Sequence, residues 1–289
     1  MSPARDLPSL TRPDGRTLTL CEVGSADAPM GAIYLHGTGS SRLEVAPYAV
    51  AADTHDVRIV AWSRPRHGAS TAQEGRRLSD VVDDARAVIE AVGADRPAAI
   101  GLSGGGSHTI ALAALAPELI SRAVTVNAGA PAEPEILAQM PTQMARTIDL
   151  AATKPGLFGL LASIRQSRNP LLRKLAQRQL EPEDKAVGAD PVVGPLFEAS
   201  AAEGAQQKGA WLEEARMLWA QPWGFPIDHF DVPVHAFAGA KDPFRPFALA
   251  LERAGATFHE FPGGHISGFT PEVMDEVVRT AVAPTLSTD

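Results

Sequence analysis

The chain has 289 residues, enough for one or two domains. A composition of 45% hydrophobic and 21% charged residues excludes a disordered, collagen-like or coiled-coil chain. Lys and Arg number 26 against 34 Asp and Glu, and the net charge of −8 repels phosphate backbones, so no nucleic-acid partner is expected.

Met1 to Gly15 carries three prolines and no apolar run, which reads as neither a signal peptide nor an anchor. Thr17-Leu18-Thr19-Leu20 alternates like a half-exposed strand. Cys21, the single cysteine, excludes an intrachain disulfide and a cysteine-based metal site, and reads as a small buried hydrophobe. Ala32 to Leu35 is a short apolar run ended by His36-Gly37-Thr38-Gly39, and Val57 to Trp62 is another, closed by the loop Ser63 to Ser70. Arg76-Arg77 reads as a solvated loop. Val81, Val82, Ala85, Val88, Ile89 and Val92 recur at helical spacing until Gly93 stops them. Pro97 to Leu102 is an apolar strand running into a glycine cluster, Ile110 to Leu115 is helical, and Ala123 to Val126 is a further strand. From Pro131 to Asp228 no strand-like run occurs, only helical stretches cut by Pro and Gly. The alternation then resumes with a strand at Val232 to Ala238, a helix at Phe247 to Arg253, a strand at Thr257 to Phe261 and a closing helix at Pro271 to Val282. Near-continuous apolar strands between amphipathic helices predict a mostly parallel sheet covered on both faces. The expected organisation is an α/β core formed by 1–130 and 229–289, interrupted by a helical cap at 131–228. No stretch approaches the roughly 18 apolar residues that span a bilayer, so a cytoplasmic protein is expected.

Gly101-Leu102-Ser103-Gly104-Gly105 lies between a predicted strand and a predicted helix and matches G-x-S-x-G. A serine on so sharp a turn needs small neighbours, because side chains two positions away would collide with strand and helix. The helix start beside it offers free N–H groups to a developing oxyanion. A serine nucleophile needs a base, and the base an orienting carboxylate, in the chain order Ser, acid, His. Asp242 in Gly239-Ala240-Lys241-Asp242-Pro243 and His265 in Pro262-Gly263-Gly264-His265 each follow a predicted strand, where open α/β sheets place their ligands.

With His36-Gly37 after an early strand, the Ser63-Arg64-Pro65-Arg66-His67-Gly68-Ala69-Ser70 loop, the Ser103 turn, the Asp242 loop and Gly264-His265, almost the whole chain resembles the α/β-hydrolase fold family. The resemblance implies Ser103 as nucleophile, His265 as base and Asp242 as acid. It also implies an oxyanion hole from the backbone N–H groups of Gly104 and Thr38. Two positions depart from the family pattern: Ser63 stands where the loop often begins with Asp, and Arg66 where it usually has Gly. Some members carry the acid after the sixth strand. That position is Asn127 here, which cannot be a carboxylate, so its loss should cost little beyond packing.

The implied activity is cleavage of a carboxylic ester or related acyl compound through an acyl-enzyme. Two alternatives are a non-hydrolytic triad enzyme (lyase, cyclase or acyltransferase) and a non-catalytic small-molecule binding protein. His36 reads as a residue that orders the oxyanion loop, and His36, Gly37, Met217 and Trp223 are candidate pocket residues. His108 reads as a partly buried helix residue and His67 as a loop residue near the site. His55, His229, His235 and His259 read as surface or strand-edge residues. Asp83-Asp84 and Glu213-Glu214 read as solvated helix faces. No metal and no cofactor is assigned. The expected partner is a small ester or acyl substrate, and a homodimer is left open.

Overall fold

In the computed structural model, which describes residues 4–159 and 181–284, eight strands form one sheet. They are β1 (Arg5–Thr11), β2 (Thr17–Val23), β3 (Met30–Leu35), β4 (Arg58–Trp62), β5 (Ala98–Leu102), β6 (Ala123–Val126), β7 (Val234–Gly239) and β8 (Thr257–Phe261), in the order β1-β2-β4-β3-β5-β6-β7-β8. Only β1 with β2 and β2 with β4 run antiparallel; every other pair is parallel. Strand β1 falls where proline and charge hid it. It is an edge strand, and Pro8 sits where the register shifts between Leu7 and Leu10, a place that tolerates a missing N–H.

The pleat sends alternate side chains to two cores. Ile33 and Leu35 of β3 point to the face covered by α2 (Val81–Ala91), α3 (Gly104–Leu115) and α9 (Arg245–Arg253). Ala32 and Tyr34 point to the face covered by α1 (Ala49–Thr54) and α10 (Pro271–Val282). Both faces are therefore buried, which is why the strands read as continuous apolar runs. Between β6 and β7 the described residues hold helices and no strand: α4 (Pro134–Leu137), α5 (Thr142–Thr153), α6 (Pro182–Ala189), α7 (Val193–Gly204) and α8 (Ala210–Trp219). Part of this expected insertion, 160–180, lies outside the described residues. No helix among the described residues is long and apolar enough to cross a membrane.

Several polar residues read as solvated are buried instead. Asp84 is fully buried and paired with Arg76 at 3.1 Å and Arg16 at 3.5 Å, so Arg76 is packed in and not part of a solvated loop. Cys21 is buried as expected, and burial pushes its thiol up to about 12. His235 and His259 face each other at 3.2 Å across β7 and β8. Among the described residues no group of three or more His, Cys, Asp or Glu could hold a metal ion.

Candidate active site

Ser103 follows β5 and opens α3 with φ +53° and ψ −121°, a conformation that costs an L-residue on the order of 1–3 kcal/mol. The neighbours hold it there: its N–H donates to Val126 O at 2.9 Å, and its carbonyl accepts from Gly106 and Gly129 at 2.9 and 2.8 Å. The small residues are required as expected. A Cβ on Gly105 would lie 1.9 Å from Leu35 O, and one on Gly101 2.3 Å from Gly105 O.

The turn brings together residues from three places in the chain. Ser103 Oγ–H donates to His265 Nε2 at 2.9 Å, and His265 Nδ1–H donates to Asp242 Oδ2 at 2.5 Å. Asp242 Oδ1 accepts the Phe244 N–H at 2.7 Å, so the buried carboxylate is fixed from both sides. Burial pulls the His265 imidazole down, but the charge and hydrogen bond of Asp242 outweigh it. Asp184 and Glu44 add to that, and the net shift is upward. The Ser103 hydroxyl and the His265 ring stay partly exposed, while Asp242 does not.

Beside the serine, a Cβ on Gly104 would lie 2.2 Å from Thr38 Oγ1 and 3.3 Å from Thr38 N, so the Gly104 and Thr38 backbones lie close together there. Gly37 does not contribute there, because its N–H donates to the buried Glu44 at 2.7 Å. Glu44 also accepts the Tyr34 hydroxyl at 3.1 Å, and burial raises its carboxyl. His36 is fully buried. Its Nδ1–H donates to Gly37 O at 2.8 Å and its Nε2 accepts the Arg64 N–H at 3.1 Å, which fixes a neutral ring under the loop.

Behind this loop lies a polar cluster that the sequence did not announce. Arg64 is fully buried, hydrogen-bonds the His36 and Gly37 carbonyls, and meets Glu214 of α8 at 2.7 Å. Glu214 also accepts His108 Nε2–H at 2.8 Å and stands 3.7 Å from His67. The solvated-face reading of Glu214 is therefore wrong: two helical residues beside each other split, Glu213 toward Arg66 at the rim and Glu214 inward. Burial pushes the His108 and His67 rings down to about 3 and about 4, so both stay neutral. Burial alone would raise Glu214, but the Arg64 charge and the His108 hydrogen bond hold it well below the carboxylate range. Arg66, which stands where the family has glycine, adopts φ +68° and pairs with Glu213 and Glu74. Replacing Glu214 by alanine should cost about 3–5 kcal/mol in urea denaturation, because it strands the buried Arg64 charge. A loss under about 1 kcal/mol would show that the charge is compensated elsewhere.

Asn127, expected to be dispensable, lies at φ +50° and bridges two loops. Its Oδ1 accepts the Gly239 N–H at 2.9 Å, and its Nδ2 donates to the carbonyls of Gly264 and His265 at 3.2 and 2.8 Å. Of the proposed pocket residues, Met217 is buried and lines a cleft of about 220 Å³ with Arg66, Arg76, Leu212 and Arg216, and neither Ser103 nor His265 borders that cleft. Trp223 packs edge-on to Phe247 and donates to Leu218 O at 3.0 Å. Two insertion residues lie against the serine turn and the loop beside it: Leu218, 3.3 Å from a Cβ on Gly104, and Trp211, 2.8 Å from a Cβ on Gly39. A periodicity argument could mark both as apolar but not aim them.

Residues 32–280 match the model of the Alpha/beta hydrolase family. A hydrolase from Pseudomonas aeruginosa PA01 has a similar structure, with a TM-score of 0.67 at 22% identity, covering 96% of this chain and 98% of that one. The enol-lactonase from Burkholderia xenovorans LB400 aligns with a TM-score of 0.61 at 20% identity over 95% and 98% of the two chains. A thermophilic esterase from Thermogutta terrifontis aligns with a TM-score of 0.65 at 15% identity over 96% and 97%. No curated protein matches the sequence. Because the family match runs from β3 into α10 and takes in all the parallel strands, the chain belongs to the alpha/beta hydrolase family.

Proposed function

We propose that the protein is a serine hydrolase that cleaves a carboxylic ester or related acyl compound. The observation that supports it most is the continuous hydrogen-bonded line from Asp242 through His265 to Ser103. In this reading Ser103 Oγ attacks the substrate carbonyl as its proton passes to His265 Nε2, and the tetrahedral oxyanion takes the N–H groups of Thr38 and Gly104. Each such donor contributes about 3 kcal/mol or more to the transition state. His265 then protonates the leaving alcohol, the acyl group stays on Ser103, and a water activated by His265 releases it. Asp242 holds the ring and stabilises its cationic form. The insertion, 131–228, serves as a cap over this site. Leu218 and Trp211 supply an apolar roof beside the oxyanion loop, which suits an apolar acyl or alcohol group.

The experiment is a fluorophosphonate probe with mass spectrometry of the labelled peptide, together with product analysis on a series of 4-nitrophenyl esters. Labelling at Ser103 with release of free acid supports the reading, and labelling with transfer or elimination products moves the reaction to a non-hydrolytic class. The pH profile follows from the raised imidazole. His265 accepts a proton only when neutral, so kcat/KM should fall on acidification with a limb above the ordinary histidine value of about 6.5. A limb below that value would contradict the Asp242 pairing.

A further inference from the structure

The polar backbone of the His265 loop is held from two sides. The core takes its carbonyls, through the Asn127 amide on Gly264 and His265. The insertion takes its N–H groups, through a single carboxylate. Asp184 of α6 accepts the N–H of His265 on Oδ2 at 3.1 Å, and on Oδ1 the N–H of Ile266 at 3.1 Å, that of Ser267 at 2.9 Å and the Ser267 hydroxyl at 2.5 Å. Asp184 is 3% exposed, so these four donors replace its water. The approach depends on a missing side chain, since a Cβ on Gly264 would lie 2.5 Å from Asp184 Oδ2. The same helix start reaches the neighbouring loop as well: Glu181 and Glu183 meet Lys241, the residue before Asp242, at 3.2 and 3.6 Å.

We infer that Asp184 is a positioning residue for the reaction, a carboxylate lent by the insertion that fixes the His265 loop so that its ring bridges Ser103 and Asp242. The inference rests on the proposed role of His265 as the base. Charge-assisted bonds to backbone N–H groups are short and directional, and three of them on consecutive residues leave the loop one arrangement. Asp242 fixes the ring through its side chain, whereas Asp184 fixes the peptide that carries the ring. Docking of α6 and assembly of the serine–histidine contact thereby become one event. The charged groups that act on the ring are Asp242 from the β7 loop, Asp184 from α6 and Glu44 from the turn after β3, and all three favour its protonated form.

The test uses Asp184→Ala and Asp184→Asn in the full chain. The readouts are the rate constant of Ser103 labelling by a fluorophosphonate, kcat and KM on 4-nitrophenyl acetate, and NMR titration of the His265 ring proton. Asp184→Ala should slow labelling and kcat about 10- to 100-fold, the cost of a slightly misplaced base, with KM changed far less. Asp184→Asn keeps one acceptor oxygen and should lose less. In both variants the acid limb and the ring titration should move to lower pH, because a negative charge beside the imidazole has gone. A purely structural Asp184 would lower the melting temperature and leave the rate of Ser103 labelling and kcat where they were, and that result overturns the inference. If Asp184→Ala does not fold, the near-isosteric Asp184→Asn decides by the rate of Ser103 labelling per folded molecule. Failure of the hydrolase reading is distinguishable, because it shows as absent labelling of unmodified protein, whereas the ring titration reads Asp184 regardless of turnover.

Discussion

Ser103→Ala is expected to lower kcat on any ester the protein turns over by about a million-fold, the scale on which nucleophile loss acts when the rest of a triad is intact. Fluorophosphonate labelling should vanish with it. The fold should survive, because the strained turn is held by backbone bonds to Val126, Gly106 and Gly129 that do not involve the hydroxyl. Only the side-chain bond to His265 is lost, which is worth about 1 kcal/mol, and the melting temperature should register no more than that. Residual activity near the background rate would come from the oxyanion donors alone. Labelling that persisted in Ser103→Ala, on any serine, would remove the nucleophile assignment and the acyl-enzyme with it.

What the sequence could and could not show follows from the range of the interactions concerned. Strands β3 to β6 were legible because burial on both faces makes apolar runs, a property of consecutive residues. The Ser103 turn was legible because its demand for glycine is local. Asp84 and Glu214 were misread because a carboxylate on a helix is solvated by default, and only a partner far along the chain changes that. Glu214 meets Arg64 across 150 positions. Asp184 left no trace at all, since its partners are backbone N–H groups that any residues could supply. The glycine that admits it, Gly264, reads in the sequence only as part of the histidine motif.

Those long-range contacts share a direction. Ser200 and Glu203 of α7 bind the Ser40–Ser41 turn, Glu214 of α8 binds Arg64 under the oxyanion loop, and Asp184 of α6 binds the His265 loop. Each reaches from the insertion to a loop at the C-terminal end of the sheet. In the proposed function, an insertion attached this way orders the site as well as covering it. Substitutions in the cap should therefore alter rate and substrate preference together.

Asp242→Asn carries the other large effect. The amide can still meet His265 Nδ1 but favours the wrong tautomer and cannot stabilise the imidazolium, so kcat should fall by about 10⁴-fold near neutral pH, the loss this change causes in the Ser-His-Asp triad of serine proteases. Substrate binding should change much less, since the acid acts on the transition state. The acid limb should also move down, because the strongest influence raising the ring is removed while Asp184 and Glu44 remain. Chain position alone suggests that Asn127→Asp would rescue the variant, since the family resemblance implies that some members carry the acid there. The geometry opposes it. The Asn127 amide nitrogen faces the carbonyls of Gly264 and His265, and a carboxylate in its place would turn two donated bonds into two repulsions on the very loop that carries the base. The double variant is therefore expected to be no more active than Asp242→Asn and less stable by about 1–3 kcal/mol, the cost of buried groups left unpaired. Recovery of activity in it would show that the side chain at 127 can turn toward the His265 ring, and a fully active Asp242→Asn would sink the acid assignment itself.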